Sequence, residues 1–155
     1  MGYFVVEPRL YQFSSQKQLP LDAIMIESMI PKWMGPLARW QPHIDLVQQT
    51  GYNMIHFAPM QQRGSSDSPY SIRDQLLFSD DLFDNANLLS REDRLKEVRQ
   101  TIFKIQHEHG ILCLSDVVWN HTSHDSVFLQ DHPDAGNKLN CRMHAYAINS
   151  ILLLT

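Results

Sequence analysis

Two short stretches of this sequence gather residue types that can do chemistry. The first runs from His56 through Pro59 and Met60 to Tyr70 and Asp74; the second is Asp116, Trp119, Asn120, His121 and Thr122. Each mixes aromatic and polar side chains where an apolar run stops. A sugar ring presents C–H groups that pack on an aromatic face, and hydroxyls that both donate and accept. A site for it therefore needs rings beside carboxylate, amide and imidazole groups. Metal chemistry is less well served. His107, His109 and His124 are numerous enough for a metal, but His107 and His109 lie two apart and fall on different faces of a helix. Cys113 and Cys141 lack the spacing of a zinc site, so no metal and no cofactor is expected. Cys113 stands in an apolar run and reads as a buried free thiol.

A chain of 155 residues suits one domain and can bury roughly 70% of its unfolded surface. With 43% hydrophobic and 19% charged residues it falls among globular rather than disordered chains. A net charge of −4 gives no electrostatic footprint for nucleic acid or anionic lipid, so neither is expected as a partner. No run reaches the ~20 apolar residues of a membrane helix. Gly2 to Val6 is too short for a signal-peptide core, and Asn149 and Ser150 interrupt the tail from Ile148 to Leu154. Two cysteines are too few for a disulfide framework and suit a reducing compartment; a cytoplasmic location is the expectation. There, the glycosylation sequon at Asn120-His121-Thr122 carries no meaning.

The elements that must position the two clusters follow from periodicity and punctuation. Residues 3–13 alternate loosely and read as a strand or ordered linker, and Gln16 to Leu19 as a polar turn. Leu21 to Ile30 reads as a short strand followed by loop, and Pro31, Gly35 and Pro36 break regular structure after it. Residues 37–50 read as a helix, with Trp40, Ile44 and Val47 on one face, Pro42 in its first turn and Gly51 beyond its end. Tyr52 to Phe57, bounded by Gly51 and Pro59, reads as a buried parallel strand, and Gln61 to Pro69 as a loop. Ser90 caps a second helix that ends near His109 before Gly110, with Leu95, Val98, Ile102 and Ile105 along its apolar face. Ile111 to Val118 is a second buried strand, broken by Asp116. Helices alternating with buried strands predict an α/β fold with a parallel sheet and right-handed crossovers. Periodicity alone leaves a barrel and an open doubly wound sheet equally open. In either, working residues gather at the C-terminal ends of strands, where the two clusters fall.

The wording of these stretches adds a resemblance. Asp116-Val117-Val118-Trp119-Asn120-His121 resembles the first conserved region of the α-amylase superfamily, at the end of its third barrel strand, and Tyr70-Ser71-Ile72-Arg73-Asp74 sits where that superfamily places a Tyr and an Asp in the loop after its second barrel strand. Gly2-Tyr3-Phe4-Val5-Val6, Gly51-Tyr52-Asn53-Met54-Ile55-His56-Phe57 and Asp74-Gln75-Leu76 are similar to the glucanotransferase domain of the eukaryotic glycogen debranching family. The likeness runs from about Gly2 to Leu139. It implies a partial (βα)8 TIM barrel, roughly the first three strands, acting on glycogen or another α-1,4/α-1,6-glucan. It implies roles by position: Tyr70 stacking on the sugar, His121 bonding its hydroxyls, Asp116 orienting polar neighbours, Asn120 holding a loop, and Asp74 and Trp119 lining the site. Taken singly, Tyr70 and Trp119 would serve as surface packing, His121 as a solvated histidine and Asp116 as a buried charge satisfied by backbone. In many amylases the matching Asn binds calcium. No cluster of further oxygen ligands accompanies it here, and a hard cation takes six or more, so calcium is not expected.

The family's retaining chemistry uses two carboxylates about 5–5.5 Å apart, placed after the fourth and fifth strands, and a third after the seventh. No Arg two residues before an Asp follows Leu139. The expectation is therefore no catalytic residue in this chain and a piece of a larger barrel enzyme, inactive alone, with the amylo-α-1,6-glucosidase activity on a more distant domain. The expected division is an N-terminal extension or linker over 1–20, the partial barrel over 21–139 and a divergent tail over 140–155. Open sheet edges and an uncovered face on the 91–109 helix would leave the isolated chain marginally stable. A non-catalytic glucan-binding module and a small α/β protein unrelated to sugars are the alternative readings.

Overall fold

Three parallel strands form the centre of the protein; Pro31 follows closely on the first, Pro59 on the second, and Gly110 precedes the third. A computed structural model of the chain describes residues 9–135 and 150–154, the latter as backbone. The element order is β1 (Leu10–Tyr11), β2 (Gln18–Leu19), β3 (Ile26–Met29), α1 (Pro31–Met34), α2 (Gln41–Gln49), β4 (Met54–Phe57), β5 (Gln61–Arg63), β6 (Ile72–Phe78), α3 (Arg91–Glu108), β7 (Leu112–Val117), α4 (Val127–Asp131) and β8 (Ser150–Leu154). β3, β4 and β7 lie side by side and parallel, with Ser28 opposite His56 and His56 opposite Leu114. β8 runs antiparallel along the far side of β7, Ser150 opposite Val117. The fold is mixed α/β around a parallel sheet.

Helix α3 shows how the local code works. The Ser90 hydroxyl accepts from the Asp93 N–H at 3.1 Å and the Asp93 carboxylate accepts from the Ser90 N–H at 3.3 Å, a reciprocal cap that satisfies two otherwise orphaned donors. Gly110, at φ +68, ends the helix where a side chain would be strained. Val98, Ile102 and Ile105 face inward and join Trp40, Ile44 and Val47 of the α2 region against Ile55, Phe57 and Cys113 of the sheet. Trp40 and Phe57 stack at 5.2 Å, and the indole N–H donates to Gly35 O at 2.8 Å. Burying such side chains stabilises by about 1.5–3 kcal/mol each. The opposite sheet face is covered at its base. Leu19 of the β1–β2 hairpin packs on Met54 and Leu112, with Leu10, Phe13 and Ile24 around them.

Several expectations need correction. The helix read over 37–50 begins only at Gln41. A 3-10 turn over Leu37–Arg39 precedes it, and Pro31, read as a breaker, instead starts the one-turn α1, since proline suits a first helical position. In residues 21–30 the order is reversed: a 3-10 turn over Leu21–Ala23 comes first and the strand follows. Gln18–Leu19 pairs as a strand rather than turning. Gln61 to Pro69 is not all loop, because Gln61–Arg63 pairs antiparallel with β6 through an irregular register. Asp116 does not break its strand; β7 runs through it to Val117. The apolar face of α3 is not left uncovered, although Leu95, assigned to that face, is 37% exposed. The resemblance at Gly2 to Val6 lies outside the described residues.

Candidate functional site

The strand pleat sends alternate residues to opposite faces. Ile55, Phe57 and Cys113 go to the helix side, so Ser28, His56 and Asp116 project from the other face, near the C-terminal ends of their strands. There His56 Nε2–H donates to Asp116 Oδ1 at 2.9 Å, with the two side chains 21% and 22% exposed. The Tyr70 hydroxyl donates to Asp116 Oδ2 at 2.8 Å. Ser28 Oγ lies 3.3 Å from His56 Nδ1.

The second cluster closes on the first from below the Tyr70 loop. His121 Nε2–H donates to the Tyr70 carbonyl at 3.1 Å, and its Nδ1 pairs with the Asn120 side chain at 3.1 Å. Both ring nitrogens are thus engaged. The backbone that delivers them is sewn to β6: Thr122 Oγ1 and the Ser123 N–H both donate to Ile72 O, at 2.6 and 2.8 Å. Gln75 Nε2 donates to Val118 O at 2.7 Å. Tyr70 is 43% and Trp119 67% exposed, so two aromatic faces are open to a ligand. Burial first, then the hydrogen bond and charge of Asp116, push the Tyr70 phenol above its ordinary pKa.

The loop carrying Tyr70 is fixed by charge. Lys32 of α1 pairs with Asp67, and Arg63 bridges Asp67 at 2.8 Å and Asp81 at 2.6 Å. Burial works against the Arg63 charge, but the two carboxylates outweigh it and raise its pKa. Lys32 and Arg63 in turn lower that of Asp67. On the other side Ser65 N–H donates to Asp125 Oδ2 at 3.1 Å and Ser65 Oγ lies 3.3 Å from His124 Nε2.

The structure therefore brings together Tyr70, Asp116, Asn120 and His121. It does not bring Asp74 in by contact. Asp74 lies on β6 opposite Gln62, and its carboxylate accepts from the Leu76 N–H at 2.7 Å, because the segment is a strand and not the expected loop. Trp119 stands exposed at the strand end without a polar tie to the cluster among those described. Ser28, Gln75, Ser65 and Asp125 were missed. Ser28 could have been found by aligning its strand end with that of His56. Among the described residues no group of three or more His, Cys, Asp or Glu is arranged to hold a metal ion, and no helix is long and apolar enough to cross a membrane.

Comparison with solved structures defines the class. An α-amylase from Lactobacillus plantarum superposes with a TM-score of 0.59 at 20% identity, covering 85% of this chain and 31% of that one. A maltogenic α-amylase from Thermotoga neapolitana does so at 0.57 and 20% identity, covering 74% and 27%. The fold is that of the α-amylase type. Sequence narrows it: the model of the family described as glycogen debranching enzyme, glucanotransferase domain, matches residues 17–151, running past Leu139. The glycogen debranching enzyme of Saccharomyces cerevisiae is 40% identical over 134 residues, 86% of this chain and 8% of that protein. The chain belongs to the glycogen debranching enzyme family, in its glucanotransferase domain.

Proposed function

We propose that this chain supplies the donor-sugar side of a 4-α-glucanotransferase site, built on the first three strands of a (βα)8 barrel, in a protein that moves α-1,4-glucan segments during glycogen breakdown in the cytoplasm. The observation that carries this reading is the convergence of Tyr70 on both Asp116 and His121 at the ends of adjacent parallel strands. Tyr70 and Trp119 offer ring faces to the C–H side of glucose. His121 offers sugar hydroxyls the nitrogen it now turns to Asn120, and Asn120 holds that segment. Asp116 holds the phenol that carries the platform. Asp74, on the neighbouring strand, would reach the sugar only at the margin of the site.

We assign no catalytic residue. Retaining transfer needs a nucleophilic and an acid/base carboxylate, and the acids near this rim are already committed. Asp116 is tied to His56 and Tyr70, Asp67 to Lys32 and Arg63, and Asp125 to Ser65 and Ser123. On this reading the 155 residues alone are inactive. Incubating the purified chain with maltoheptaose and resolving products by chain length tests this. An unchanged length distribution is expected. Redistribution that disappears in Asp116→Asn would refute the assignment.

A further inference from the structure

A hydrogen-bonded chain crosses three adjacent parallel strands and ends on the Tyr70 loop. Ser28 on β3 touches His56 on β4, His56 touches Asp116 on β7, and Asp116 touches the Tyr70 hydroxyl, at 3.3, 2.9 and 2.8 Å. A carboxylate held by one exposed phenol turns freely about its last bond, and such a contact contributes only about 0.5–1.5 kcal/mol. A second, charge-assisted bond to the other oxygen removes that freedom. With Oδ1 fixed by His56, Oδ2 has one direction left, and Tyr70 lies along it.

We propose that His56 is a positioning residue: its Nε2–H fixes the Asp116 carboxylate, which in turn sets the orientation of the Tyr70 ring before any ligand arrives. Ser28 supports the imidazole from the neighbouring strand. A hydroxyl both donates and accepts, so it can satisfy Nδ1 in either protonation state of the ring. Bringing the platform into position in advance removes an ordering cost from binding. That consequence rests on the donor-sugar reading; the relay itself belongs to the unliganded chain.

The test contrasts two amides of different reach. In His56→Gln the side-chain N–H falls near the Nε2 position, while in His56→Asn it falls near Nδ1, short of Asp116. The readout is the Tyr70 phenol titration, followed by tyrosine Cζ carbon NMR, with Asp116→Asn giving the full effect of losing the carboxylate. His56→Asn is expected to bring the Tyr70 pKa down toward the Asp116→Asn value, and His56→Gln to hold it near wild type. A purely structural role for His56 would move both or neither. Tyr70 titrating as wild type in His56→Asn, while Asp116→Asn lowers it, would overturn the proposal. A second measurement needs no His56 variant: imidazole nitrogen spectra of the wild-type chain must show Nε2 protonated, and a proton on Nδ1 alone also overturns it. Maltoheptaose titration of the same samples separates the two ideas. Normal binding with an indifferent Tyr70 sinks the relay and spares the sugar reading; the expected Tyr70 shifts without maltoheptaose binding do the reverse.

Discussion

Replacing Gly64 by alanine should loosen the junction between the two functional segments. The reason is space and not backbone conformation, since Gly64 is not among the positive-φ residues. A methyl group built there runs into Ser123 Oγ, Ser123 Cβ and Asp125 Oδ1. Rotating Ser123 would move only its oxygen. Its Cβ stays with a backbone held by Ser123 N–H to Ile72 O at 2.8 Å and by Ser126 N–H to Ser123 O at 3.0 Å, and both Ser123 and Ser126 are buried. The 121–125 segment must therefore shift. Overpacking of this kind costs about 1–3 kcal/mol, and losing the Ser123–Asp125 or Ser65–Asp125 hydrogen bond adds about 0.5–1.5 kcal/mol each. A total of about 1.5–4.5 kcal/mol, divided by a slope of about 1–3 kcal/mol per molar urea, lowers the unfolding midpoint by about 0.5–4.5 M. Urea titration followed by tryptophan fluorescence measures it, and amide shifts of Tyr70 and His121 should move in the same variant. A midpoint within about 0.3 M of wild type, with those shifts unchanged, would refute the packing argument.

Ile102→Ala should cost about 2–5 kcal/mol, as expected for a buried aliphatic side chain, while Leu95→Ala on the same helix should cost under about 1 kcal/mol; paired urea midpoints read the contrast. Burial pushes the Cys113 thiol up to about 12, so iodoacetamide near neutral pH should leave it unmodified in the folded chain and alkylate it rapidly in urea. The Asp67 pKa is depressed in the fold by Lys32 and Arg63. Its stabilisation is therefore complete above the ordinary carboxylate pKa and is lost as pH falls through the folded value. Asp67→Asn should lower the urea midpoint at neutral pH, with the difference vanishing in strong acid.

What was legible in the sequence is what local rules and burial decide together. Ser90, Gly110 and the Val98–Ile102–Ile105 spacing mark α3 because cap, stop and apolar face coincide in one segment. The runs ending at Phe57 and Val117 read as parallel strands because they are short, apolar and bounded by Gly or Pro. The β5–β6 hairpin was hidden. Gln61-Gln62-Arg63 and Ile72-Arg73-Asp74-Gln75 have no alternation, and cross-strand pairing together with the Arg63 ion pairs holds them. Reading that hairpin as loop is what misplaced Asp74. Ser28 was missed for a similar reason, since its value comes from register with His56 across 28 residues, not from its neighbours. The helix-face part of the stability expectation falls with the burial of Val98, Ile102 and Ile105. The edges lie elsewhere than expected: β8 covers the far side of β7, and among the described residues the outer sides of β3 and β8 are the ones without a strand partner in that sheet.

The central claim is that the rim formed by Tyr70, Asp116, Asn120 and His121, with Trp119 beside it, takes an α-glucan. Titrating the isotopically labelled 155-residue chain with maltoheptaose, and following amide, aromatic and imidazole signals by NMR, tests it most directly. The account predicts saturable shifts concentrated at Tyr70, Trp119, Asn120 and His121, abolished together in Tyr70→Ala. No shift at the highest soluble sugar concentration would contradict it, as would shifts confined to Gln41, Gln100, Thr101 and Lys104, which line a groove between α2 and α3.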